Sequence, residues 1–478
     1  MGSLKQSAYY AIGIVMMKGI SLVMIPYITH KMTLAEYGSL EAIVLLADIG
    51  TILFSFGIVE AMYRYVGVAE GEEKRKLVSN CFTLSVLVCV LGGSLIALSM
   101  PLLLLMLPVE FQPYQILLLL IPTMLDGAIS IPLTLMRMNA MAKRFCMLNV
   151  MKASVQAAMT FALLEAGYGI DGVLISAAVS SVLLMLCLLR YQWQEMGSFG
   201  SLKYSAKILK FGLPTLVGGA SIYMITGLDR WVMASFVGVE ELAIYAVSGK
   251  FALLLGLLLQ PYALWWFPNR VAMLQQPGGS KMCADRALVG VNLAIVLGSL
   301  MILTVPGFIS LILPSSYHYA GTIVVALLAI SVIKNAGDYL NLGCFSGDSS
   351  QSQMWIQGGC AVLAAIGYFT VTPIYGVWGV VAVLCATYVV RLMLLYVVSQ
   401  AMEQLPYEHS KWVTAVSIAL VAIASDQLLG LVLVDVHDFI LGTAVGLITL
   451  VAFVKYSVIV VPQALLDKFM LGKQSHAN

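Results

Sequence analysis

The chain has 478 residues, 60% of them hydrophobic and only 10% charged, with a formal net charge of +2 and a mean hydropathy of +0.95. That composition excludes a soluble globular protein. The basic residues are scattered over short loops and form no stripe, so no nucleic-acid partner is expected.

Apolar stretches of about 20 residues, the length a helical span needs, recur along the whole sequence, whereas the short alternating segments of a membrane barrel do not. The fold class is therefore all-α and polytopic, with about fourteen transmembrane helices. The first seven spans run roughly Tyr9 to Lys31, Leu40 to Tyr63, Val78 to Leu105, Tyr114 to Met136, Phe145 to Leu164, Ile170 to Leu189 and Phe211 to Phe236. The remaining seven run roughly Leu242 to Phe267, Ala287 to Leu313, Ala320 to Phe345, Met354 to Thr372, Val377 to Val398, Trp412 to Val434 and Phe439 to Val461. Lys5 precedes an apolar run longer than a signal-peptide core, with no small-residue cleavage pattern, so the first span is expected to be retained.

Of the 26 Lys and Arg, six fall inside spans, Lys31 lies in an odd-numbered loop, and the rest lie in or beside even-numbered loops and the termini. The positive-inside rule then puts both termini in the cytoplasm. The external loops carry Glu110, Glu165, Asp171, Glu240, Glu241, Asp435 and Asp438 and are too short for a folded catalytic domain. The long connection Arg190 to Lys210 follows the sixth span and suggests an internal duplication. It predicts two pseudo-symmetric six-helix lobes, 1–195 and 196–405, followed by two carboxy-terminal helices and a tail, 406–478. Gly212, Pro214, Gly218, Gly219 and Gly227 make span seven breakable, and Pro122 and Pro132 do the same for span four.

The six embedded bases are Lys18, Arg230, Lys250, Lys334, Arg391 and Lys455. A Lys or Arg near the bilayer centre costs roughly 2.5 to 3.5 kcal/mol on insertion scales, so these groups must face protein, water or an anion. Lys18, in the middle of span one, is the strongest candidate for a cavity cation, the alternative being an ion pair with Asp48. Lys250 and the pair Asp229-Arg230 fall in the outer third of the membrane, leaving either one unneutralised cation or a closed structural network. Lys334 and Asp338 stand four residues apart on one helix face and are expected to pair. Arg391 and Lys455 lie near span ends and are expected to snorkel. The intramembrane acids Asp48, Asp126, Asp338 and Asp426 are candidate proton or cation sites. A ligand anion about 4 Å from a lysine gains on the order of 4 kcal/mol at an effective dielectric near 20, enough to offset one buried cation.

All five histidines (His30, His318, His409, His437 and His476) lie in loops or tails, so no metal site is expected. No phosphate-binding GxxxxGK[ST] sequence is present, and the eight cysteines show no CxxC spacing; neither ATP hydrolysis nor a cofactor is expected.

The stretches IPYITHKMTLAEYG (Ile25 to Gly38) and GIVEAMYRYV (Gly57 to Val66) resemble the opening hairpin of Wzx-type O-antigen and polysaccharide flippases. KFGLPTLVG (Lys210 to Gly218), LDRWVMASFVG (Leu228 to Gly238), IYAVSGKFA (Ile244 to Ala252) and WWFP (Trp265 to Pro268) resemble the start of that family's second half. The resemblance covers about the first 270 residues by motif and places the chain in the multidrug, oligosaccharidyl-lipid and polysaccharide exporter superfamily. It implies a non-enzymatic flippase of the bacterial inner membrane. By alternating access it would move polyprenyl-diphosphate-linked oligosaccharide repeat units outward for O-antigen, lipopolysaccharide, capsule or exopolysaccharide synthesis. Membrane lipid, a polysaccharide polymerase and a chain-length regulator are its implied partners. The family's Asp-Arg position is Asp229-Arg230 and its Arg after the second span is Arg64; Lys18 and Lys250 would complete the cationic cavity. A drug or cation antiporter of the same superfamily is the nearest rival, although it would want a cavity acid in span one. A membrane-embedded glycan polymerase or ligase would need a larger external loop or a polar catalytic cluster.

Overall fold

A computed structural model describes residues 3–107, 109–346, 351–433 and 437–458. Asp435, His476 and the end of span fourteen lie outside them. The described chain is all-helical: α1 (Ser3–Lys31), α2 (Leu34–Ser55), α3 (Ile58–Tyr65), α4 (Gly71–Leu98), α5 (Met100–Met106), α6 (Pro113–Met138), α7 (Ala142–Glu165) and α8 (Gly169–Met196) come first. They are followed by α9 (Ser205–Thr226), α10 (Leu228–Phe236), α11 (Val239–Leu274), α12 (Gly279–Ile312), α13 (Ala320–Tyr339), α14 (Gln351–Met402), α15 (His409–Val432) and α16 (Asp438–Lys455). Among the described residues, 13 helices are long and apolar enough to cross a membrane.

One of those 13 accounts for two predicted spans. α14 has 52 residues, about 78 Å at 1.5 Å per residue and well over twice the ~30 Å of a hydrocarbon core. It turns at Gly376, whose φ of 59° and ψ of −138° leave helical space three residues after Pro373. Proline removes one helix donor and only glycine tolerates that backbone angle cheaply, so the loop expected between spans eleven and twelve shrinks to a kink. Counted as two, α14 brings the candidate spans among the described residues to fourteen.

Two other spans break where the sequence supplies breakers. Phe56 and Gly57 take φ of 43° and 65° and separate α2 from α3, while Gly227 separates α9 from α10. The first break abuts another helix: a Cβ on Gly57 would stand 2.5 Å from the Gly212 carbonyl oxygen, and one on Gly212 would stand 2.2 Å from that of Phe56. Backbones approach that closely only where side chains are absent.

The helices group into two compact units, one of residues 1–246 and 361–380, the other of residues 247–360 and 381–478. In the first, α1 packs on α7, α7 and α6 on α8, and α2 and α4 on α6. Lys31, the lone base of an odd-numbered loop, is accounted for there: its Nζ lies 2.8 Å from Glu165 at the end of α7, and the Tyr27 hydroxyl donates to the same carboxylate at 2.8 Å.

In the second unit α12 is the hub, contacting α13, α15 and α16. α16 approaches it closely at Gly442, where a Cβ would run into the Leu303 carbonyl oxygen. Gly442→Leu is expected to push α16 off α12 and cost about 1–3 kcal/mol, as overpacking does. Thermal unfolding of the purified protein measures it; an unchanged midpoint would contradict this packing.

Candidate functional site

A buried cluster of charge in the first unit is built where α9 breaks. Gly227 stops that helix, and α10 restarts at once with Asp229 in its first turn, where the helix dipole favours an acid. Asp229 is buried; its Oδ2 accepts from the Tyr245 hydroxyl of α11 at 2.6 Å, and its Oδ1 has no hydrogen-bond partner among the described residues. Arg230 follows directly, half-buried, within electrostatic reach of Asp229, Glu41, Tyr245 and Asp48. Glu41 is buried on α2, and α2 packs against α10. Tyr223 of α9 adds a buried hydroxyl close enough to feel Asp48, Asp229 and Arg230. The Tyr368 hydroxyl, donating to the Ile225 carbonyl at 2.8 Å, ties the end of α9 to α14. An arginine fork here can bind a phosphate, and the carboxylates around it can carry an exchangeable proton.

A second cationic feature sits at one end of the same unit, where α3 and α6 finish and α7 and α9 begin. The Arg64 guanidinium lies 4.9 Å from the Phe211 ring centre, Lys207 Nζ 4.3 Å from that of Tyr65, and Arg137 5.5 Å from that of Phe145. A cation seated on a ring face keeps its N–H donors available. The sequence does not single out Arg137 and Lys207, because nothing in their spacing shows which rings they sit on.

The remaining predicted residues distribute unevenly. Lys18 is exposed on α1 and has no ion-pair partner among the described residues, so the Lys18–Asp48 bridge is not made. Asp126 pairs with Lys152 at 3.0 Å. That lysine, within the bounds of predicted span five although not counted among the six embedded bases, stands ten residues inside α7 and makes a seventh.

The second unit holds Lys250, half-buried on α11, and corrects two expectations. Asp338 pairs with Arg391 at 2.7 Å and not with Lys334, whose Nζ instead stands 6.0 Å from the Tyr388 ring centre. Arg391 does not snorkel: it is buried, and its Nε also donates to Gln357 Oε1 at 3.0 Å. Both errors arise because the partners lie on different turns and helices, out of reach of local spacing. Lys455, at the last turn of α16, is exposed. A cavity of about 390 Å³ between α12, α13, α14 and α15 is lined by apolar side chains with Tyr396, Tyr407, His409 and Trp412, and by no Lys, Arg, Asp or Glu.

This helix arrangement defines a class, that of multi-pass membrane proteins with the fold of lipid flippases and multidrug exporters. The lipid II flippase MurJ in its inward closed conformation superposes with a TM-score of 0.75 at 12% identity, covering 96% of this chain and 100% of that one. A MATE transporter in the straight conformation gives 0.54 at 13%, over 83% and 94%. A transporter of the MOP superfamily from Pyrococcus furiosus, described as having a binding pocket of reverse polarity, gives 0.51 at 13%, over 83% and 95%. No curated protein matches in sequence. The family signature described as polysaccharide biosynthesis protein matches residues 3–272, and the chain belongs to that family.

Proposed function

We propose that this protein is a flippase that carries polyprenyl-diphosphate-linked oligosaccharide repeat units across the bacterial inner membrane for surface polysaccharide synthesis, by alternating access and without catalysis. The observation that carries the reading is Arg230, a cation kept at membrane depth in a chain of the polysaccharide biosynthesis family. In this reading Lys18, Arg64, Arg230 and Lys250 attract the diphosphate, while Asp48, Asp126, Asp229, Asp338 and Lys334 serve ion coupling or charge pairing. Both termini are cytoplasmic, and residues 1–195, 196–405 and 406–478 form the two lobes and the appended helices. A diphosphate matches two or three such bases, whereas the polyprenyl tail stays in lipid. O-antigen, lipopolysaccharide, capsule and exopolysaccharide units all share that diphosphate.

The test is complementation of a flippase-deficient strain. Lys18→Ala with Lys250→Ala, present in the membrane at the wild-type level, is expected to lower surface polysaccharide more than about tenfold, the loss of one to two charge-assisted contacts. Normal polysaccharide from the double variant would overturn the cationic site. A second reading, a drug or cation antiporter, is favoured by the carboxylates Glu41, Asp48 and Asp229 gathered near Arg230. It predicts export of a cationic dye and no complementation.

A further inference from the structure

Two of the ion pairs that join neighbouring helices, Arg391–Asp338 and Asp126–Lys152, are built differently. In Arg391–Asp338 the base is the enclosed partner: the arginine side chain is 9% exposed and the aspartate 30%, and the guanidinium makes a second bond to Gln357. Asp126–Lys152 is open. Its side chains are 40% and 22% exposed, a single hydrogen bond of 3.0 Å joins them, and no other hydrogen bond to Asp126 Oδ2 or from Lys152 Nζ forms among the described residues.

The openness lies toward the inside of the bundle. Asn149, Lys152, Gln156 and Thr160 are spaced three or four residues apart and so share one face of α7. Farther along that face, Thr160 bonds Ser176 at 2.6 Å and Gln156 accepts from Ser180 at 3.5 Å, both buried serines of α8. Ser154, Ala158 and Phe161, on other faces, are exposed. Lys152 thus sits on the inward polar stripe, about 15 Å along α7 from its start, near the middle of a ~30 Å core. Asp126 is central in α6, between Pro122 and Pro132, each of which deletes a helix hydrogen bond and eases local bending.

A pair meant only to hold helices together gains from being sealed and fully hydrogen-bonded. One that leaves donors free inside a bundle is suited to exchange partners. We infer that Lys152 is an anion-binding residue held in reserve by Asp126, and that a phosphate of the transported lipid takes the ammonium from the carboxylate during passage. The inference rests on the flippase reading and assigns the phosphate a position within residues 1–246 that the six bases recognised in the sequence do not supply.

Binding of a polyprenyl diphosphate to the full-length protein in lipid nanodiscs, read by native mass spectrometry, tests it. Uncharged polyprenol and an acidic phospholipid are the control ligands. Lys152→Gln is expected to weaken diphosphate binding about tenfold, and Asp126→Asn, which removes the competitor, to strengthen it by about the same order. A purely structural pair would move both variants the same way, and the swap Asp126→Lys with Lys152→Asp would bind as wild type does. Either result overturns the inference, as does an acidic phospholipid binding as well as the diphosphate. If Lys152→Gln does not fold, Asp126→Asn decides alone: tighter binding supports the exchange, and unchanged or weaker binding removes it. Failure of the wild type to bind any polyprenyl diphosphate would bring down the flippase reading itself, and with it the ligand assigned to Lys152.

Discussion

Asp338→Ala is expected to remove most of the folded protein from the membrane. The Arg391 side chain is only 9% exposed and keeps a single neutral contact, to Gln357, once the carboxylate is gone. Removing one partner of a buried ion pair costs about 3–5 kcal/mol, because the surviving charge remains desolvated. That is a large share of the whole stability of an ordinary domain. The double variant Asp338→Ala with Arg391→Met should recover most of the loss, since replacing a buried pair with apolar groups of similar volume is close to neutral. Thermal unfolding of the purified variants measures both. A single variant as stable as wild type would mean that Arg391 reaches water, as its position near a span end first suggested.

The contrast between Arg391 and Lys152 shows which parts of this molecule can be read along the chain. Span positions are legible because apolar length is a local property, and even the kink in α14 is written into Pro373 and Gly376. The breaks at Gly57 and Gly227 are local too. Charge partners are not: Asp338 lies four residues from Lys334, yet it bonds an arginine 53 residues away. Lys152 falls within predicted span five, but grouping it with the nearby bases Lys143 and Arg144 hides it from the count of embedded charges. The polar stripe Asn149, Lys152, Gln156 and Thr160 was the available signal, since a charged residue on a polar face of a span needs no snorkelling. The Tyr245–Asp229 bond, by contrast, depends on where α11 returns after α10, and no spacing rule supplies that.

Arg230→Gln is expected to abolish transport and also to destabilise the protein by about 3–5 kcal/mol, because Asp229 is buried and loses the adjacent cation. The two effects separate in the double variant Asp229→Asn with Arg230→Gln. Asparagine can still accept from the Tyr245 hydroxyl, which now bonds Asp229 at 2.6 Å, and it buries no charge, so thermal stability should return toward wild type. Transport should not return if Arg230 holds the substrate diphosphate, since a neutral amide cannot supply a charge-assisted fork. Arg230→Lys discriminates further: it keeps the charge beside Asp229 and so the fold, but loses the planar bidentate donor, and is expected to retain only partial transport. Surface polysaccharide and unfolding temperature measured on the same three variants decide the matter. A double variant that is stable and fully active would leave Arg230 as the counter-ion of Asp229 alone, and would shift the search for the diphosphate to Lys18, Arg64 and Lys152.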